Sequence, residues 1–556
     1  MLTRLTYPPQ FPSSQRPGNL CHPACPERSR GERSEGSVLS VCLSLGNLFL
    51  VFLFGASLLP ALAQEPSQPS PTPLERRILA IINENPARQA LWGVNVISLR
   101  TGDPIASINA EKRFTPASTS KLFPAAVALS LLGPDFLYHT TVETSSSVTE
   151  DGRVEGDLIL VGRGDPNLSG RVLPYNGQTE RIRPPTLALE GLATQVAQRG
   201  VRVVEGDMVA DDAYFVSQPY GEGWTVDDLQ WGYGAPVAAL SLNDNVIVFR
   251  IRPGRRVGEP ASIDMEPSTT RFQLQNRIAT VGRYRQTSPG RRLTIDRAIG
   301  SSVVQLWGEL RPNSPEWTGA LAMDNPPAIA GEVFREALAR NGIEVRGTVR
   351  TRALPPGEVA DLGQGDLVEK KSPTTVLAFR DSLPLTDSLK VMLKVSQNLH
   401  AEMLLRTLGH EQRQVGSVDA GLAVIGDFLK EHRIPEDDVL LRDGSGLSRQ
   451  SLVTPASLTT LLRVMYESPH RDVWIDLLPV AGTDGSLLHR LRGSTLRGRV
   501  RAKTGGLAGV AALAGYAPNA AGDMLAFAII INHHNLTAGP ATGLVDRVVQ
   551  EIVASK

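Results

Sequence analysis

Apolar and polar positions alternate along the chain in a way that marks out its elements. Thr72-Pro73-Leu74-Glu75 carries the signs of a helix start: a Thr cap, Pro at the first helical position and Glu three residues after the cap. Leu74, Ile78, Ile81 and Ile82 then follow at helical spacing. The period changes to two at Val94, Val96 and Ser98, which predicts a strand. Thr101-Gly102-Asp103 turns it into a second strand through Ile105 and Ile108. The far end of the chain supplies matching pieces. Residues 499–504, 510–516 and 524–532 read as three strands joined by short Gly-rich or polar turns. Leu544, Val545, Val548, Val549, Ile552 and Val553 line one apolar face of a last helix. The pattern predicts one antiparallel sheet built from both ends and flanked by terminal helices, with the middle of the chain inserted.

That middle has its own texture. Residues 192–200 read as a helix closed by Gly, and residues 201–209 as a strand interrupted by Gly206. The same helix–turn–strand unit returns at 334–349, with Gly342 and Gly347 in the corresponding places. Between the copies, residues 245–312 read as short β segments, such as 245–251 and 302–307. The expected division is an outer domain of residues 74–137 and 375–556, an inserted domain of 138–244 and 313–374, and a nested β-rich domain of 245–312. The fold class is α/β in the α+β sense, with two nested insertions.

The N-terminal region changes the picture of location. Residues 48–59 are almost wholly apolar, and Ala61-Leu62-Ala63 fits the small-x-small rule for signal peptidase. Cleavage after Ala63 would remove Cys21, Cys25 and Cys42 and leave no cysteine, which suits a periplasmic or other extracytoplasmic protein. An uncleaved membrane anchor is the competing reading, because counting back to Val38 lengthens the apolar run. Residues 1–37, rich in Pro, Arg and Ser, read as a translation start assigned too far upstream, so 1–63 is leader plus signal peptide. Residues 64–73 read as an extended linker. The 57 basic and 57 acidic residues cancel, which gives no ground for a nucleic-acid partner.

Only nine of the basic residues are Lys, so each is informative. Ser118 stands three residues before Lys121, and Leu122, Ala125, Ala126, Leu129 and Leu132 continue as an apolar helix face. Residues three apart share a face, so the Lys121 amine can sit beside the Ser118 hydroxyl. Desolvation would lower its pKa and make it a base for a serine nucleophile. An ordinary capped helix start is the bland alternative, and Ser120 points elsewhere on the helix. Lys503-Thr504-Gly505, followed by Gly506, ends a predicted strand where a substrate backbone can approach closely. Its bland alternative is an exposed strand-end lysine. Ser396-Gln397-Asn398 lies between helical runs, where both polar ends can face a cleft; a solvated helix face is the alternative. His400 reads as a helix residue outside the chemistry, and His533-His534 as a loop pair. No zinc-ligand spacing or phosphate-binding Gly loop is present, so no cofactor or metal is expected.

Together the three elements form a Ser-x-x-Lys, Ser-x-Asn, Lys-Thr-Gly series in the order found in β-lactamases and penicillin-binding proteins. Ser118 and Ser396 are 278 residues apart and Ser396 and Lys503 are 107 apart, a first gap too long for a compact β-lactamase. The chain resembles the class C low-molecular-mass penicillin-binding proteins, the D-alanyl-D-alanine carboxypeptidase/endopeptidase family. The resemblance runs from Leu74 to the C-terminus. It includes Gly164-Asp165-Pro166, Gly206-Asp207, residues 211–215 and 236–245, Asp443-Gly444-Ser445-Gly446-Leu447-Ser448, Leu478-Pro479 with residues 482–486, and 502–505. It implies a transpeptidase-type domain in which Ser118 attacks, Lys121 takes its proton, and Ser396 relays a proton to the leaving group. Asn398 would orient the substrate amide. Lys503, Thr504 and Gly505 would hold the terminal carboxylate, and the N–H groups of Ser118 and Gly506 would form the oxyanion hole. Peptidoglycan peptides and β-lactam antibiotics are the implied partners. Gly506 departs from the Ser or Thr common in relatives and removes a hydroxyl for the carboxylate. A β-lactamase and a catalytically weak cell-wall scaffold are the alternatives, and the sequence gives no oligomeric state. Asp443 and Ser445 can be read as shaping the cleft, but a turn formed by Asp-Gly-Ser-Gly is the simpler reading.

Overall fold

The computed structural model describes residues 70–177, 181–284, 293–358, 374–493 and 495–556. The leader, the cleavage position at Ala63 and residues 64–69 of the linker lie outside them. Among the described residues no helix is long and apolar enough to cross a membrane.

Helix Pro73–Ile82 opens with the expected reciprocal cap. Thr72 Oγ1 accepts from Glu75 N–H at 3.1 Å, and Thr72 N–H donates to Glu75 Oε2 at 2.7 Å. Its buried Leu74, Ile78 and Ile81 share a core with Val545, Val548, Val549 and Ile552 of the terminal helix Ala538–Val553, and Arg77 pairs with Glu551. Beside these helices lies a five-stranded sheet in the order Arg501–Leu507, Val510–Pro518, Met524–Asn532, Leu91–Ser98, Pro104–Ile108, antiparallel throughout. Alternation sends its side chains to two cores. Ile529 and Ile531 join the terminal helices, while Ala528 and Ile530 face a helical layer that includes Leu122–Leu131, Asn398–Arg413 and Pro455–Glu467. The polar site therefore stands between a sheet edge and a layer of helices that are fixed from behind.

The middle of the chain forms a mixed sheet in the order Val349–Leu354, Met208–Val216, Leu158–Val161, His139–Thr144, Thr375–Asp381, with helices Leu187–Gln198 and Pro326–Arg340 sharing its core. The duplicated unit has a third copy that the helix–turn–strand pattern did not reveal. Short parallel strands Arg153–Val154, Val203–Val204 and Glu344–Val345 sit side by side, each followed through a glycine by a strand of the larger sheet. Those glycines stack: Gly206 N–H donates to Gly156 O at 3.2 Å, and Gly347 N–H donates to Gly206 O at 3.1 Å. A Cβ on Gly206 would lie 2.6 Å from Gly156 O, so no side chain fits.

Two strands lie elsewhere than expected. Trp317–Ala322 pairs with Val246–Arg252, so the β-rich part continues past residue 312. Thr375–Asp381, assigned from sequence to the outer domain, is instead the edge strand of the inserted sheet, paired with His139–Thr144. Polar alternation alone could not say which sheet either would join. The pair closes at a neck where Ser382 N–H donates to Tyr138 O and Tyr138 N–H donates to Ser382 Oγ, both at 2.9 Å.

Candidate active site

Ser118 lies in a short 3₁₀ turn, Ala117–Lys121, which leads directly into helix Leu122–Leu131. The turn begins with Ala117 at φ 48°, a left-handed conformation that costs a non-glycine residue on the order of 1 kcal/mol or more. Its neighbours hold it there. A Cβ on Gly446 would meet Ala117 O at 2.0 Å, and one on Gly505 would meet Pro116 O at 2.6 Å. Two glycines, from the Asp443–Ser448 loop and from the sheet edge, thus let backbone press on the serine turn from separate elements.

Lys121 is wholly buried and its amine has three acceptors: Ser118 Oγ at 2.7 Å, Asn398 Oδ1 at 2.7 Å and the Ser445 carbonyl at 2.6 Å. Burial brings its pKa down to about 7, against the opposing pull of Asp443 and Glu402. Near neutrality this amine can lose a proton and so accept one from Ser118. Ser120, by contrast, is buried with a hydroxyl that has no hydrogen-bond partner.

Ser396 follows a turn of π-helix, Val391–Val395, and adopts φ 66°. Such a departure from α-helix inside a helical run is frequent at functional sites. Lys503, also wholly buried, donates to Ser396 Oγ at 2.7 Å and to Thr504 O at 2.8 Å. Burial, and next the charge of Lys121, hold the Lys503 pKa well below the ordinary lysine value. Thr504 Oγ1 donates to Ser486 Oγ at 2.8 Å. At Gly506 a Cβ would meet nothing within 4 Å, so the sheet edge is open there. Lys394, two residues before Ser396, pairs with Asp484 at 2.5 Å and donates to Leu478 O at 3.1 Å. This ties the Ser396 loop to the segment that carries Ser486.

Asn398 uses both ends of its amide. Oδ1 accepts from Lys121, and Nδ2 donates to the Tyr233 carbonyl at 2.8 Å. Gln397, in place of the Asp of the usual motif, caps its own helix by accepting from Leu399 N–H at 3.1 Å. Its Nε2 donates to Asp244 Oδ2 at 3.0 Å. Burial opposes ionisation of Asp244, but Arg171 and Arg181 overcome it and hold its carboxyl well below the usual range. Asp244 is the middle of three successive residues with positive φ, at 55°, 57° and 55°. His400 is buried in this cluster, its Nε2 3.8 Å from Asp244 Oδ1.

The structure thus brings Ser118, Lys121 and Asn398 into one hydrogen-bonded group and Ser396 with Lys503 into another. Lys503 feels the charge of Lys121, which couples the two. Sequence reasoning missed the Ser445 carbonyl, Glu402, Ser486 and Tyr233. A backbone carbonyl has no side-chain signature. Glu402 did leave one, an acid beside the apolar Met403, Leu404 and Leu405.

Residues 74–547 match the D-Ala-D-Ala carboxypeptidase 3 (S13) family. The chain is 34% identical over 530 residues to a D-alanyl-D-alanine carboxypeptidase of Actinomadura sp. (strain R39), across 93% of this chain and 90% of that one. It is 28% identical over 435 residues to the D-alanyl-D-alanine carboxypeptidase DacB of Haemophilus influenzae, across 78% and 83% of the two chains. In structure it is similar to penicillin binding protein 4 of Haemophilus influenzae, with a TM-score of 0.71 at 26% identity over 86% of this chain and 99% of that one.

Proposed function

The chain belongs to the D-Ala-D-Ala carboxypeptidase 3 (S13) family, and from that premise we infer that Ser118 is the nucleophile of a serine-type D-alanyl-D-alanine carboxypeptidase. One observation carries the assignment: a wholly buried lysine amine, drawn down to about 7, lies 2.7 Å from the Ser118 hydroxyl. Ser118 Oγ attacks the carbonyl of the penultimate D-Ala of a peptidoglycan stem peptide while Lys121 takes its proton. The N–H groups of Ser118 and Gly506 receive the oxyanion, and one such donor is worth about 2.7–4 kcal/mol. Ser396, held by Lys503, passes a proton to the departing amine. Asn398 orients the substrate amide, and Lys503 with Thr504 and Gly505 receives the terminal carboxylate. Water then releases the acyl group.

The same attack on a cross-link gives endopeptidase activity, and attack on a β-lactam gives a covalent adduct. The enzyme works outside the cytoplasm, after loss of the leader near Ala63. Its peptidase domain is the five-stranded sheet with its helices, and residues 139–381, between the neck residues, form the inserted part.

The test is intact-mass detection of the adduct formed with a fluorescent penicillin, beside Ser118→Ala. A long-lived adduct on the wild type alone supports the assignment. No adduct together with hydrolysed penicillin would point to a β-lactamase, and neither product would point to a scaffold.

A further inference from the structure

The third acceptor of Lys121 belongs to a peptide unit that is itself held by charge. The Ser445 carbonyl accepts from Lys121, and the N–H of the same peptide, that of Gly446, donates to Asp443 Oδ1 at 3.1 Å. The N–H of Ser445 donates to Glu402 Oε1 at 2.8 Å. Both carboxylates are wholly buried. Among the described residues Asp443 has no cation in hydrogen-bond contact. It accepts from Ser445 Oγ, Ser448 N–H, Ser451 Oγ and Trp224 Nε1–H at 2.9–3.2 Å. Glu402 pairs with the buried Arg406 at 3.1 Å. Burial and the charge of Asp443 raise the Glu402 pKa against the pull of Arg406, and Asp443 and Glu402 in turn favour the charged Lys121 amine, which the charge of Lys503 opposes.

We propose that Asp443 and Glu402 are positioning residues for the Ser118 reaction: through the two peptides that flank Ser445 they hold the Lys121 amine on Ser118, and they balance its charge. The proposal rests on Ser118 being the nucleophile. A turn alone would account for the bonds from Asp443 to Gly446 and Ser448. It would not call for a second buried carboxylate on the Ser445 N–H. Burial and the two carboxylates pull the Lys121 amine in opposite directions. Without the carboxylates it would give up its proton more readily and be the weaker base.

The experiment is the rate of penicillin acylation, by intact mass, from about pH 5 to about pH 9, for the full chain, Asp443→Asn and Glu402→Gln, each with its melting curve. The wild type is expected to gain activity through an acid limb near pH 7, where Lys121 deprotonates. Absence of both a wild-type adduct and hydrolysed penicillin would remove the Ser118 assignment itself. In each variant the limb is expected to move down by about one pH unit, because a neighbouring negative charge has gone. The plateau rate should fall about tenfold with the weaker base. A limb that stays at the wild-type pH while rates drop uniformly would overturn the proposal and leave the carboxylates a structural role. Glu402→Gln keeps an acceptor for the Ser445 N–H, so it carries the test if Asp443→Asn fails to fold.

Discussion

Gly505 and Gly506 are neighbours on one strand, yet a side chain would meet different surroundings at each. A Cβ at Gly506 would stand in open space, so Gly506→Ser should change stability by less than about 0.5 kcal/mol. It would supply the hydroxyl that the resemblance leads one to expect beside the substrate carboxylate. A lower KM for D-Ala-D-Ala peptides, with kcat little changed, is the expected outcome in steady-state assays. Gly505→Ala would instead drive a methyl to 2.6 Å from Pro116 O and push on the turn that carries Ser118. Penicillin acylation should slow by tenfold or more, on the order expected for a small misplacement of reacting groups. At this scale the sequence was most informative where side chains do the work. Ser118 and Lys121 declare their shared helix face by a three-residue spacing, whereas Ser445 acts through a carbonyl that any residue would offer.

Elements show what a pattern can and cannot reveal. The outer sheet was legible because its strands read as apolar runs bounded by Gly-rich or polar turns and its first helix carries a full capping box. The third copy of the inserted unit escaped because no helix precedes Arg153–Val154, although Val-Glu-Gly-Asp recurs identically at 154–157 and 204–207. Its glycine stack gives a sharp stability prediction. Gly206→Ala sets a methyl against the backbone of Gly156, and overpacking of this kind costs about 1–3 kcal/mol. A lowered thermal midpoint, with Ser118 still acylated by penicillin below it, is the expected result. The π-helical turn before Ser396 could not be anticipated, since residues 391–395 carry an ordinary helical apolar pattern. Lys394 within that turn is anchored on Asp484, far along the chain, a tertiary contact that no local pattern shows.

Across the molecule, pH should act on stability through the inserted part as well as on catalysis. Asp212, buried on strand Met208–Val216, has its pKa raised by burial to about 7. An ordinary Asp titrates near pH 3.9. Below that pH both folded and unfolded chains hold the proton. Between there and about 7 only the folded chain does, so stability falls as pH rises, by on the order of 4 kcal/mol in all. Asp212→Asn keeps an acceptor for the Leu240 N–H that bonds it at 2.8 Å. Its melting temperature should match the wild type near pH 4 and exceed it increasingly towards pH 8. The neck at Tyr138 and Ser382 has a mechanical consequence. A pull applied between Tyr138 and Ser382 falls on those two hydrogen bonds, while residues 139–381 stay tied to the outer domain by bonds such as those from Trp224 to Asp443 and from Asn398 to the Tyr233 carbonyl. The strands behind the neck, His139–Thr144 and Thr375–Asp381, run antiparallel away from it. A pull there is an unzipping load rather than a shearing one, and the strand pair would open one hydrogen bond at a time.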